Sequence, residues 1–290
     1  MNVTKRYGSL TVLDSLNLDI DAGEMVTIIG PSGSGKTTVL RMLMTLESIE
    51  SGVIYVDGEP LTHMEKNGVL VPANSAHMRR MRSKIGMCFQ HFNLFPHMTA
   101  LENCMEGPVQ VLGLSKKEAR ERAEELLEMV GMASKCNHHP SHLSGGQQQR
   151  IALARAIAPK PKLLLMDEPF SGLDAKMREE LVPEIRAILL HEKMSAILVT
   201  HDQLEAFAMA DQVAIMNAGC IHQFGTAYQI YHRPLTRFVV GFIGQGDFLP
   251  STVCGPDCVK SDLGEIHFHA EHGYQEGDKV FGELRNAKMT

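Results

Sequence analysis

The chain has 290 residues, 44% of them hydrophobic and 21% charged, and a formal net charge of −6. This length exceeds what one hydrophobic core usually organises, and the composition excludes disordered and fibrous classes. The acidic balance argues against a nucleic-acid binder, and no apolar run reaches the roughly 18 residues of a membrane helix.

In chain order, the amino terminus MNVTKRYGSL lacks the apolar stretch of a secretory signal, so a cytosolic address is expected. Runs of β character are predicted at 25–29, 53–56, 85–89, 162–166, 195–200 and 212–216, separated by helical stretches or loops, which is α/β patterning. Between them, KKEARERAEELLEM at 116–129 sets Ala119, Ala123, Leu126, Leu127 and Val130 at helical spacing under a charged face, predicting an amphipathic helix. After Gly241, Gly and Pro punctuate short segments at 265–268 and 279–284, and a domain boundary is expected there, giving domains 1–240 and 241–290. The cysteines at 88, 104, 136, 220, 254 and 258 follow no zinc or dense disulfide spacing, so reduced thiols are expected, with CGPDC at 254–258 a turn carrying free thiols.

Gly30, Pro31, Ser32, Gly33, Ser34, Gly35, Lys36 and Thr37 fit G-x-x-x-x-G-K-[ST], with the apolar run MVTII before them and the helix-like TVLRMLMTLE after. Glycines let backbone N–H groups turn toward phosphate oxygens, the helix start adds a positive dipole end, Lys36 adds charge, and the Thr37 hydroxyl can ligate Mg²⁺. Downstream, LLLM leads into Asp167 and Glu168, an apolar strand ending in two acids. Asp167 suits a metal partner and Glu168 a base facing the attacking water.

Leu143-Ser144-Gly145-Gly146-Gln147-Gln148-Gln149-Arg150 resembles the signature sequence of ABC ATPases. Around it stand, in the family's order, Tyr7 where an aromatic stacks on adenine, Gln90 of the Q-loop, Ser171-Gly172-Leu173-Asp174 of the D-loop and His201 of the switch, so the resemblance covers roughly residues 3–240. It implies a P-loop ABC ATPase domain with a mixed sheet core, a helical subdomain at about 91–158 and a short C-terminal β-rich unit. It also implies ATP and Mg²⁺ as cofactors, with ATP held by the loop from Gly30 to Thr38 and by Ser144, Gly145, Gly146, Gln147 and Asp174. Thr37, Gln90 and Asp167 would hold the metal, and Glu168, His201 and Gln90 would act in hydrolysis.

The implied partners are a second ATPase subunit, the same or homologous, packed head to tail so that Ser144 and Gly146 of one copy cap the γ-phosphate on the other. Transmembrane permease subunits would hold the pair at the cytoplasmic face of the inner membrane, with a solute-binding protein acting indirectly. The stretch from MRSKIGMCFQ to LLEMVGM looks like importers of polar amino acids and ectoine-type solutes, whereas LLLMDEPFSGLDAKMREEL onward is similar to ferric iron importers, which carry a C-terminal regulatory β domain. Because residues 86–140 lie where the family grips its permease, a polar solute is the expected cargo and ferric iron the alternative. About 50 residues follow Gly241, so the regulatory unit is expected to be incomplete, and the first strand, with few residues before Tyr7, to be clipped. A non-transport ABC protein acting on nucleic acid or ribosome is the reading from another class, and no nucleic-acid partner is expected. His138, His139, His142, His267, His269 and His272 are expected to be surface polar residues, with no metal assigned to them.

Overall fold

The computed structural model describes residues 2–244, 246–267 and 274–285, which fall into two compact units, Met1–Ile230 and Tyr231–Thr290. The first opens with an antiparallel pair, β1 (Val3–Tyr7) and β2 (Leu10–Leu16), whose register shifts twice near Lys5. The sequence reading did not expect β2, because LTVLDSL lacks clean alternation, its two buried residues Leu13 and Leu16 falling three apart rather than on one face.

Next come β3 (Met25–Ile29), α1 (Lys36–Leu43), and the hairpins β4 (Tyr55–Val56) with β5 (Glu59–Pro60) and β6 (His63–Lys66) with β7 (Val69–Pro72). The strand expected at 53–56 is cut to two residues because Asp57 and Gly58, both at positive φ, turn the chain back at once. Then follow α2 (Ser75–Ser83), β8 (Ile85–Cys88), α3 (Ala100–Gln110), α4 (Lys116–Met129), α5 (Gly145–Ile157), β9 (Leu163–Asp167), α6 (Ala175–His191), β10 (Ser195–Thr200), α7 (Gln203–Met209), β11 (Gln212–Asn217), β12 (Cys220–Gly225), α8 (Ala227–His232) and α9 (Arg237–Ile243).

Six strands form one sheet in the order β12-β11-β3-β10-β9-β8. All neighbours are parallel except β12, which pairs antiparallel to β11 at the edge. Every residue of β3 is buried, as expected of a β-branched strand covered on both faces. A parallel sheet brings its carboxyl ends to one edge, and the register pairs Thr200 with Ile29 and Val199 with Asp167. Three loops therefore leave the sheet side by side: Gly30 after β3, Glu168 after β9 and His201 after β10.

Helices α3, α4 and α5 pack on one another. Each opens with a reciprocal cap: Thr99 with Glu102, Ser115 with Glu118, and Ser144 with Gln147. The predicted stripe of α4 is the buried one, with Ala119, Ala123, Leu126, Leu127 and Val130 at most 2% exposed. Burying Leu126 and Leu127 contributes about 1.5–3 kcal/mol each, which fixes the helical group against the core that also takes Ile151 and Ile157.

In the second unit, which also takes α9, β13 (Gly246–Gly255), β14 (Cys258–Ser261), β15 (Gly264–His267) and β16 (Lys279–Arg285) make an antiparallel sheet in the order β15-β14-β13-β16. Here the expectation of free thiols at Cys254 and Cys258 is corrected, because the two form a disulfide. The hairpin between β13 and β14 carries a register shift between Val253 and Gly255, and this brings the two Cα atoms to 5.4 Å, inside disulfide range. Cys88, Cys104, Cys136 and Cys220 are free, as expected. His142 and His267 are exposed and His138 and His139 half-buried. His269, His272 and Phe268 lie outside the described residues.

Candidate functional site

The loop after β3 is shaped by two glycines. A β-carbon on Gly30 would lie 1.9 Å from the Met216 carbonyl oxygen, and Gly35, which precedes α1, sits at φ +103 where side chains are strained. Lys36 folds back under this loop. Its Nζ donates to the carbonyls of Gly30 at 2.8 Å and Pro31 at 2.9 Å and lies 3.4 Å from Ser34 Oγ. Burial pushes the Lys36 ammonium below its usual range, while the carboxylates of Glu168 and Asp167 pull it back up. Ser32, Gly33 and Thr37 are exposed, and Pro31 and Thr38 half-buried, so the outer face of the loop is open.

Asp167 ends β9 and hydrogen-bonds the Thr37 side chain. Its carboxyl is raised above the ordinary range, first by burial and then by the charge of Glu168, with the Thr37 bond opposing. Glu168 takes a left-handed φ of 43 while its N–H donates to the Val199 carbonyl at 2.8 Å. That anchored kink turns the side chain out of the sheet edge, where Glu168 Oε2 stands 3.4 Å from His201 Nδ1. On the other side, Ser171 Oγ donates to the Glu168 carbonyl at 3.0 Å and accepts from Gln90 Nε2 at 3.3 Å. Gln90, His91, Phe92, Glu168, Ser171, Gly172 and His201 line an open cleft of about 500 Å³.

His201 is held from behind. Asp202 caps α7, and Arg178 pairs with Asp202 at 2.7 Å and with Glu205 at 3.1 Å. Glu205 is 4% exposed and accepts from Thr200 Oγ1 at 2.5 Å. Burial raises its carboxyl above the usual range, with Thr200 opposing. The sequence reading missed Arg178, Thr200, Asp202 and Glu205 as supports, and placed Ser171 in a motif without giving it a contact. An Asp directly after His201 and before a helix was the available cap signal.

Not every expected residue meets in one chain. Ser144 and Gln147 satisfy each other at the start of α5, Gly145 and Gly146 form its first turn, and none of the four lines the cleft. Asp174 spends a carboxylate oxygen on the Met177 N–H as the α6 cap. Tyr7 is 46% exposed, with Lys5 Nζ 4.8 Å from its ring centroid and a side-chain hydrogen bond to Glu47. A second cavity, about 540 Å³, lies at the amino ends of β3, β9 and β10 and is lined by apolar residues such as Leu16, Val39, Ile54 and Ile197. It holds none of the loop, acid or histidine groups, so the carboxyl edge is the candidate site.

The sequence profile described as ABC transporter matches residues 13–171. A probable amino-acid ABC transporter ATP-binding protein, y4tH of Sinorhizobium fredii, is 50% identical over 232 residues, covering 80% of this chain and 90% of the relative. The chain belongs to the ABC transporter ATP-binding family. The Fe(3+) ions import ATP-binding protein FbpC of Escherichia coli O157:H7 is 44% identical over 251 residues, covering 86% of this chain and 68% of its own. Among solved structures, the dimeric post-hydrolysis state of the ATP-binding cassette MJ0796, bound to ADP and Pi, superposes with a TM-score of 0.66 at 34% identity, over 78% of this chain and 97% of that one. The chain is thus an ATP-binding subunit of the ABC importer type with the P-loop ABC ATPase fold. Among the described residues no helix is long and apolar enough to cross a membrane.

Proposed function

We propose that the carboxyl edge of the central sheet binds and hydrolyses ATP as half of a composite site completed by a second subunit. The observation that carries this reading is the Gln90–Ser171–Glu168–His201 chain beside a phosphate loop whose lysine is already desolvated. The loop N–H groups and the start of α1 receive the β- and γ-phosphates, and Lys36 exchanges its two carbonyl partners for phosphate oxygens. Glu168 accepts the proton of the attacking water, and His201 holds the Glu168 carboxylate in line and contacts the γ-phosphate. Tyr7, exposed at the end of β1 with Lys5 over its ring, offers its other face for adenine.

The donors fit Mg²⁺: the Thr37 hydroxyl and the Asp167 carboxylate are hard oxygens already in contact, and Gln90 adds an amide oxygen. When bound, the ion neutralises charge on the phosphate oxygens and draws them into one orientation. Burial and the charge of Glu168 raise the Asp167 carboxyl above its ordinary range, and a bound cation would oppose both effects.

Ser144, Gly145, Gly146, Gln147 and Asp174 lie away from the cleft of their own chain, which supports their service to a second copy. There the start of α5 would aim its N–H groups at the γ-phosphate, so that ATP joins the subunits and hydrolysis releases them. Transmembrane permease subunits hold this pair at the cytoplasmic face of the inner membrane, and a solute-binding protein delivers cargo to them.

The cargo we infer is a polar amino acid or compatible solute. The likeness of residues 86–140 to such importers and the 50% identity to an amino-acid transporter subunit favour it. Ferric iron is the second reading, favoured by the β-rich second unit and the 44% identity to FbpC. Phosphate release by the wild type, E168Q and H201A with and without Mg²⁺ tests the hydrolytic site. Both variants should bind ATP and lose turnover at least 10²-fold, and turnover by E168Q at the wild-type rate overturns the role of Glu168. Reconstitution with the permease decides cargo, since amino acid and Fe³⁺ should stimulate ATP turnover differently.

A further inference from the structure

The second unit holds a cluster that nucleotide chemistry leaves unused. β15, β14 and β13 are successive antiparallel neighbours. Cys258 on β14 stands directly opposite His267 on β15, and Cys254 on β13 closes onto Cys258 through the disulfide. Side chains alternate along a strand, so Glu265, two residues before His267, shares its face. The Cys258 sulfur, a Glu265 carboxylate oxygen and a His267 ring nitrogen all lie within 4.8 Å of one another. Cys258 is buried, whereas Glu265 and His267 are exposed, so the cluster is open to solvent on one side. Asp257 Oδ2 lies 4.0 Å from His267 Nδ1.

Two sulfurs, one imidazole and one carboxylate make a donor set suited to Zn²⁺ and ill suited to Mg²⁺ or Ca²⁺. Three residues separate the two cysteines, within the two to four usual between paired zinc ligands, so the expectation that no zinc spacing is present is corrected for this one pair. Tetrahedral bonds of about 2.3 Å to sulfur and 2.0–2.1 Å to nitrogen set ligand atoms about 3.3–3.8 Å apart. Cys258, Glu265 and His267, now within 4.8 Å of one another, therefore need to close by at most about 1.0–1.5 Å, and Cys254 joins them from the opened disulfide. Asp257, 4.0 Å from His267 Nδ1, stands one small shift from the carboxylate–histidine hydrogen bond that orients a ligating imidazole. With its sulfurs bonded to each other the site is closed, because the ligand is a thiolate.

We propose that opening the Cys254–Cys258 disulfide creates a Zn²⁺ site formed by Cys254, Cys258, His267 and Glu265, so that this unit exchanges a disulfide form for a zinc form. A dithiol reductant gives two electrons to the S–S bond and leaves as its own disulfide, while Cys254 and Cys258 become thiols. Zn²⁺ then displaces one proton from each thiol.

The test uses the full chain, either oxidised or treated with dithiothreitol and desalted without air, then incubated with Zn²⁺ alone. Bound metal is measured by elemental analysis and affinity by competition with a chromophoric chelator. The reduced chain should hold about one Zn²⁺ and the oxidised chain less than a tenth of that. H267A and C258S should each weaken binding at least tenfold, while the C136S/C220S double variant should bind as the wild type does. Hydrogen exchange across β13–β16 establishes that the second unit of each variant folds, and H267N provides a milder substitution where H267A fails to fold. The proposal is overturned if the reduced chain takes up no zinc, if the oxidised chain takes up as much, or if H267A and H267N bind as tightly as the wild type.

Discussion

Replacing Gly30 by alanine perturbs the phosphate loop by a distance that follows from its position. The new β-carbon would stand 1.9 Å from the Met216 carbonyl oxygen, where ordinary contact begins at 3.4 Å, so about 1.5 Å of displacement is required. The obstacle is backbone of β11, held in register against β3 by the parallel pairs Ala214 with Ile28 and Ile215 with Ile29, and it cannot rotate away as a side chain would. The loop must therefore move. Overpacking of this kind costs about 1–3 kcal/mol, which in a unit of this size lowers Tm by about 2–4 °C per kcal/mol. Function suffers more, because misplacing the phosphate cradle by about 1 Å costs on the order of 10²-fold in turnover. Thermal melting, titration with a fluorescent ATP analogue and phosphate release together measure these effects. A G30A chain with wild-type Tm, nucleotide affinity and turnover would refute the close-approach reasoning.

In R178M, Asp202 and the buried Glu205 lose their cation, so about 2–3 kcal/mol of stability should disappear at neutral pH, and kcat should fall more than KM rises because the His201 loop shifts. Urea unfolding and steady-state kinetics read both, and an unchanged kcat would contradict the support assigned to Arg178. In the free chain Asp167 binds its proton more tightly folded than unfolded, so its contribution to stability falls as pH rises from the ordinary aspartate range through its folded value and remains lower at neutral pH. D167N should accordingly melt above the wild type at neutral pH without nucleotide, lose that advantage at acid pH and lose Mg²⁺-dependent turnover; a lower Tm at neutral pH would overturn the cause given for the shift. Gly241 lies in α9 with open space around its Cα, so G241A should leave turnover unchanged and stabilise the second unit by about 0.5–1 kcal/mol, measured by hydrogen exchange in α9.

The parts of the fold legible in sequence were those that local chemistry dictates. β3 and β10 carry short, mostly apolar runs rich in β-branched residues, of the length a doubly covered strand takes, and they occur at the predicted residues. The α4 stripe was equally plain because the 3.6-residue period set its alanines and leucines under a charged face. β2 and the short hairpins were not legible, since their pairing depends on turns and neighbours distant in sequence. The phosphate loop and the Asp167–Glu168 end of β9 could be read from residue types alone, whereas Gln90 and His201 needed a family resemblance to stand out from other glutamines and histidines. Arg178 was missed because an arginine on a helix gives no sign of pairing with acids more than twenty residues away. The Cys254–Cys258 pairing depended on the bulge in the β13–β14 hairpin, which sequence spacing did not disclose.

The central claim is that each hydrolytic site takes its phosphate loop from one subunit and its signature residues from the other, and mixing two inactive variants tests it directly. K36M spoils the loop, S144R spoils the signature, and each alone should be inactive. Random pairing of equal amounts gives mixed dimers in which one site receives both lesions and the other neither, so about a quarter of all sites should be intact. The account predicts that phosphate release by the mixture rises to about a quarter of the wild-type rate, and a mixture no more active than its two parents would contradict it.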